Sequence, residues 1–238
     1  FMSFSAVIAA LATKTRPDVL HLNDWHTAAA VGMLPERPPT VLTIHTLGYQ
    51  GVTHRGWLDR LPVDAVRFAG YDATNPLAGA IELVDRVIAV SPNYAREIVT
   101  PEAGMGLHDR LAALGDRLVG IRNGIDASVW NPATDAHIAQ RFTSDDLGGR
   151  DACRGELAEL AGWASDTTPI VGMVSRLVEQ KGIDLVLDSL RFLPTLPARL
   201  VVLGAGAAEL ARSLAAAGEH APHHVWFFDG YDDALGHR

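Results

Sequence analysis

Seven short apolar runs punctuate the chain, and the stretches between them repeat apolar positions at helical spacing. The runs are Val19-Leu20-His21-Leu22, Val41-Leu42-Thr43-Ile44, Val87-Ile88-Ala89-Val90, Leu118-Val119-Gly120-Ile121, Ile170-Val171-Gly172-Met173-Val174, Leu200-Val201-Val202-Leu203 and Val225-Trp226-Phe227-Phe228. Runs this short and this rich in Val, Ile and Leu predict parallel strands, and Ile170 to Val174 reads as covered on both faces. Ile183, Val186, Leu187 and Leu190 fall at i, i+3, i+4 and i+7 and predict a helix. Phe4, Val7, Ile8 and Leu11 likewise fall on one face of an opening helix whose pattern Pro17 ends. Ser91-Pro92 is a helix start, with a serine able to cap free amides and a proline pre-set for the first turn. Strands alternating with helices mean a parallel α/β architecture.

Between about residues 122 and 168 the strand signal lapses, and Asn131-Pro132, Gly148-Gly149 and Thr168-Pro169 punctuate an irregular and then helical stretch. The lapse divides the chain into two doubly wound lobes, 1–121 and 122–238, each read as cut short. Composition narrows the function without naming it. With 48% hydrophobic and 20% charged residues in 238, the balance is that of a globular protein. A net charge of -8 with no basic run argues against nucleic acid, whereas a nucleotide needs only a few local cations. Cys153 is the single cysteine, so no internal disulfide can form, and a reducing compartment, the cytoplasm, is expected. No apolar run reaches the eighteen or so residues of a membrane span. An opening on Phe1 that runs straight into a helix reads as part of a longer protein.

The candidate chemistry gathers at strand ends, where doubly wound sheets bind ligands. Arg176 and Lys181 stand five residues apart where the fifth strand gives way to a helix. They suit a phosphate site, with weak solvated ion pairs as the plainer alternative. His21-Leu22-Asn23-Asp24-Trp25-His26 packs two imidazoles, a carboxylate and an indole into six residues. A metal is a poor fit, because no cysteine is near and the histidines lack the i, i+4 spacing of the zinc-protease motif. Asp24 accepting from sugar hydroxyls, with Trp25 as an apolar platform, suits these groups better, and Asp24 is also placed to cap the helix starting near His26. His45 ends a strand ahead of a glycine-containing loop, and Arg122-Asn123-Gly124-Ile125-Asp126 forms a turn at the lobe boundary. Leu203-Gly204-Ala205-Gly206 lets backbone amides approach an anion, although a lone Gly-x-Gly occurs in many turns.

Read together, these segments resemble the bacterial glycogen synthase and plant starch synthase family of retaining glucosyltransferases. The resemblance is carried by Pro17 to His26, Thr43-Ile44-His45 with Tyr49-Gln50-Gly51, Ala89 to Ile98, Asn123-Gly124-Ile125-Asp126 with Trp130-Asn131-Pro132, Ser175-Arg176-Leu177 with Gln180-Lys181-Gly182, and Leu203 to Gly206. It implies a GT-B fold, two Rossmann-like lobes facing a cleft. Residues 1–121 would be the later part of the glucan-acceptor lobe, and 122–238 the interlobe segment with the first part of the nucleotide-sugar lobe. It also implies transfer of glucose from ADP-glucose to the non-reducing 4-hydroxyl of an α-1,4-glucan, with retention and with neither cofactor nor metal. UDP-glucose or another acceptor, and a non-catalytic glucan-binding relative, are the rival readings.

Residue by residue, the resemblance sets Arg176 and Lys181 on the donor diphosphate and His45 beside the glucosyl group. Asp24 and Asn123 would line the sugar cleft, with Trp25, Gly204 and Gly206 at the substrates and Tyr231 near the adenine. Three departures stand out: Thr46 where the family usually has Asn, Ala78 where it has Lys, and Pro76 where it has an aromatic residue. The family's Lys-Thr-Gly-Gly loop would precede Phe1 and its carboxylate segment would follow Arg238. The chain by itself is therefore expected to show little or no activity.

Overall fold

All seven apolar runs form strands in the computed structural model, which describes every residue except Tyr71, Ser165 and Leu196. The chain forms two compact units, Phe1–Gly124 and Ile125–Arg238.

In the first unit the order is α1 (Met2–Thr15), β1 (Leu20–Asn23), α2 (Asp24–Ala28), β2 (Thr40–Ile44), β3 (Thr53–His54), β4 (Ala69–Gly70), β5 (Ala73–Thr74), α3 (Pro76–Leu83), β6 (Arg86–Ala89), α4 (Pro92–Glu97), α5 (His108–Ala112) and β7 (Leu118–Gly120). β1, β2, β6 and β7 make a parallel sheet in that order. Leu22, Leu42, Val87 and Leu118 lie side by side across it. The first three are buried, and this row is where the alternating pattern of each strand meets the core. The core also takes in Phe68, Leu77 and Ile81. The expected start of α4 is present: Ser91 Oγ accepts from Tyr94 N at 2.9 Å, and Pro92 occupies the first turn. Pro76, one of the family departures, plays the same part in α3, where Asn75 Oδ1 accepts from Ala78 N at 3.1 Å.

The first helix buries Met2, Ser5, Ala9 and Ala12, while Phe4, Val7 and Leu11 are exposed at 54%, 63% and 57%. The helical spacing holds, but of the four apolar positions only Ile8 packs on the core. α1 packs on α2 and on the 3-10 turn Ala29–Met33, with Ala9 and Ala12 against Leu34, and Ser5 Oγ donates to His26 O at 3.2 Å. The small antiparallel sheet β3-β5-β4 had no sequence signal, because each strand is two residues long.

In the second unit Ile125–Gly148 carries no regular helix or strand. It is followed by α6 (Gly149–Leu160), β8 (Ile170–Val174), α7 (Ile183–Ser189), β9 (Arg199–Gly204), α8 (Ala208–His220), β10 (Val225–Asp229) and α9 (Asp233–His237). The parallel sheet runs β10-β9-β8. β9 is central and covered on both faces. Leu200 and Val202 join Leu177, Ile183 and Leu214, and Val201 joins Ala158 and Trp163. β8 departs from the expectation of two covered faces, with Val171 and Val174 exposed at 55% and 60%. It is an edge strand among the described residues, so only one of its sides has a strand partner.

Candidate functional site

The residues singled out in the first unit gather where β1 and β2 end. Asp24 opens α2 with a positive φ of 52°, and its carboxylate does not cap that helix as expected. Thr27 serves the helix start instead, taking Asn23 N on its Oγ1 at 2.8 Å. Asp24 Oδ1 is then available to the neighbouring strand, where it accepts from His45 N at 2.7 Å. Asn23 Oδ1 lies 3.1 Å from His45 Nε2. An amide oxygen only accepts, so Nε2 carries the proton in this contact. Parallel pairing of Asn23 with Thr43 sets this register. His21 Nε2 meets Thr43 Oγ1 at 2.7 Å and His26 stacks on Trp25 with ring centres 3.9 Å apart, so the two histidines and Asp24 serve three different partners.

Trp25 is half-buried between His26 and Phe1, whose ring meets it edge-on at 4.3 Å. It lines an open groove of about 620 Å³ with Phe1, Leu47, Tyr49, Gln50 and Met105. The loop after His45 is tied down along its length. Thr46 Oγ1 accepts from Gly48 N at 3.2 Å, Leu47 N donates to the Tyr94 hydroxyl at 2.9 Å, and Gln50 Nε2 donates to Met105 O at 2.8 Å. Asn75 Nδ2 donates to Gln50 Oε1 at 2.6 Å. Asn123 is not brought into this group. It follows β7, which is separated from β2 by β6, and its side chain is exposed.

In the second unit, three adjacent strand ends bring together Arg176, Lys181, Gly204, Gly206 and Tyr231. The chain after β8 continues alongside the end of β9. Ser175 N donates to Leu203 O, Leu177 N to Ala205 O and Ala207 N to Leu177 O, at 3.0, 2.9 and 2.8 Å. The glycines follow from this close crossing, since a Cβ at Gly204 would stand 2.0 Å from Ser175 O and one at Gly206 2.3 Å from Leu177 O. Gly230 N donates to Gly204 O at 3.1 Å, which sets the Tyr231 loop beside the glycines. Arg176 and Lys181 are exposed and make no ion pair among the described residues. Lys181 ends a 3-10 turn, Glu179–Lys181, and Gly182 follows at φ 70°. The 13-residue α8 begins just past Gly206, so its unsatisfied first amides face the same region.

Tyr231 is exposed at 79%, and its hydroxyl donates to Asp233 Oδ1 at 2.8 Å, which raises its pKa above the ordinary phenol value. A larger cleft in this unit, about 720 Å³, lies against β8 and β9 and is lined by Trp130, Phe142, Cys153, Met173 and His237. None of the five strand-end residues lines it, so size alone is a poor guide to the chemistry here.

Residues 1–113 match the family model described as the starch synthase catalytic domain. The glycogen synthase of Halorhodospira halophila is 42% identical over 100% of this chain and 52% of its own length. That of Methylocella silvestris is 42% identical over 93% of the chain and 48% of its own. The catalytic domain of Arabidopsis thaliana starch synthase IV, solved with ADP and acarbose, superposes with a TM-score of 0.86 at 30% identity, covering 99% of this chain and 53% of that one. Over its whole length the chain is similar to glycogen and starch synthases. It spans about half the length of the curated relatives it matches. Anabaena HepE, solved with UDP and glucose, shares the fold alone, at a TM-score of 0.54 and 17% identity. Parallel α/β units of this kind belong to the GT-B glycosyltransferase fold.

Sequence reasoning missed three residues. Asn23 lies inside the quoted His21–His26 segment, and Tyr94 inside Ala89–Ile98, yet neither received a role. The third is Asp135, whose Oδ2 lies 2.6 Å from His237 Nδ1 with both side chains nearly buried. Trp130 stacks on that imidazole at 4.0 Å. The His137 amide, and then His237, hold the Asp135 carboxyl below its ordinary pKa. The pair is 102 residues apart in sequence, and no spacing rule connects them.

Proposed function

We propose that the protein carrying this chain transfers glucose from ADP-glucose to the non-reducing 4-hydroxyl of an α-1,4-glucan, with retention at the anomeric carbon. The observation that carries the reading is the match to starch synthase IV bound to ADP and acarbose, which extends over 99% of the chain at 30% identity. On this reading the first unit receives the glucan and the second holds the nucleotide sugar.

The physical roles follow from charge and position. Arg176 and Lys181 grip the donor diphosphate. At about 4 Å and an effective dielectric near 20, each opposite-charge contact is worth roughly 4 kcal/mol, a gain that rises as charge develops on the leaving group. Gly204 and Gly206 let the diphosphate approach the backbone and the start of α8. Tyr231 stacks with the adenine, and Asn123 lines the sugar cleft. His45 lies beside the glucosyl group, while Asp24 and Trp25 face the sugar-binding side of the first unit. A same-face displacement needs no carboxylate nucleophile, because the departing phosphate can take the acceptor's proton. The lone cysteine supports a cytoplasmic setting, and no described helix is long and apolar enough to cross a membrane.

The test is transfer of labelled glucose into glycogen by the full-length protein, with ADP-glucose and UDP-glucose compared. Preferred use of ADP-glucose, with release of one ADP per glucose, is the expected result. A preference for UDP-glucose overturns the donor assignment, and glucan binding without nucleotide release overturns the enzymatic one.

A further inference from the structure

We infer that Tyr94 is a positioning residue that holds the His45 loop in its working shape from the neighbouring strand end. The inference rests on the assignment of His45 to the glucosyl donor made above. The starting point is where the loop's amides go. His45 N donates to Asp24 Oδ1 at 2.7 Å, and two residues later Leu47 N donates to the Tyr94 hydroxyl at 2.9 Å. The main chain on both sides of His45 is thus tied to side chains from two different elements, α2 and α4. The Leu47 side chain is buried in the core of the unit, so its amide cannot turn to water without withdrawing that side chain. The phenol oxygen is the amide's partner at that point.

Tyr94 is suited to the task because the turn that carries it is itself fixed. Its own amide donates to the Ser91 cap at 2.9 Å, and Pro92 restricts the turn ahead of it. Gly120 of β7 packs against the same turn, where a Cβ would stand 2.3 Å from Pro92 Cα. A rigid element therefore presents the hydroxyl, which is what a positioning contact requires. Burial raises the phenol above its ordinary pKa, so it is present as a neutral hydroxyl at physiological pH. The ring packs on the core of the unit, and phenylalanine would serve that packing equally well. Only the oxygen reaches the loop.

Tyr94→Phe in the full-length protein, labelled at histidine for NMR, tests the inference. Removing one hydrogen bond to a preorganised loop is expected to lower kcat about tenfold, leave the KM for glucan unchanged and move the His45 ring signals, identified by their loss in His45→Ala. In the His45→Ala background, Tyr94→Phe is expected to have no further effect on kcat, because the two act as one unit. Ser91→Ala, which loosens the same turn, is expected to move the His45 signals in the same direction by less. Three results each overturn the inference: unmoved His45 signals in both variants, a lowered melting midpoint with unmoved signals, or an equal loss of kcat in the His45→Ala background. Unchanged turnover in His45→Ala itself overturns the role given to His45. The ring signals then still decide whether Tyr94 positions the loop.

Discussion

At the scale of single residues, the main lesson comes from Asp24, whose carboxylate reaches past its own helix to the amide of His45. Residue type and helix position both suited a cap, but parallel pairing of β1 with β2 brings a strand-end amide within reach, and that bond prevails. Lys181 carries the sharpest prediction at this scale. Lys181→Ala is expected to lower kcat about a hundredfold, as loss of one charge-stabilising group does, with glucan binding changed by less than about threefold. Steady-state kinetics and glucan affinity measured side by side check it, and equal losses would count against a leaving-group role. Asp135 carries a second. Its pKa is depressed in the folded chain by the His137 amide and His237, so its contribution to stability is present above the unfolded value, near about 4, and is lost as pH falls through the lower folded value. Asp135→Asn is expected to lower the thermal midpoint of the second unit at pH 7, and by less as the pH approaches about 3. Asp126 and Asp166 are held low by their own hydrogen bonds, so part of the acid sensitivity remains in the variant.

At the scale of elements, the strands were legible and the faces less so. Four or five consecutive, mostly apolar residues bounded by turn signals suit a buried strand, and all seven runs are strands. α1 is the instructive exception. Its apolar stripe is real, but the buried positions are Met2, Ser5, Ala9 and Ala12, three of them small, set against α2, the Ala29–Met33 turn and Leu34. Ala9→Leu is accordingly expected to destabilise the first unit by about 1 to 3 kcal/mol through overpacking, and Phe4→Ser to change stability by less than about 0.5 kcal/mol. Chemical denaturation of the two variants decides the matter, and the opposite ranking would restore the face read from periodicity. The glycines after β9 teach a related point. Their pattern suits openings for phosphate, yet the close passage of Ser175 and Leu177 already requires them.

At the scale of the whole chain, each unit has a hydrophobic core of its own, and the residues around the junction at Gly124 are exposed and free of regular structure. Limited trypsin digestion is expected to cut first after Arg122, ahead of Arg141, whose guanidinium donates to Asp135 O at 3.2 Å. Mass spectrometry of the early fragments checks the order, and a first cut at Arg141 would show that the irregular segment is the weaker point. By itself the sequence determined the parallel α/β class, the position of each strand of the two main sheets and the likeness to glycogen and starch synthases, because hydrophobic runs and ordered motifs are local and survive in one dimension. Only the tertiary structure decided which face of α1 is buried, that Asp24 and Tyr94 hold the main chain around His45, and that Asp135 meets His237. Those contacts join residues 21, 47 and 102 positions apart, and their partners are chosen by sheet register and by how closely elements approach, quantities that no local pattern encodes.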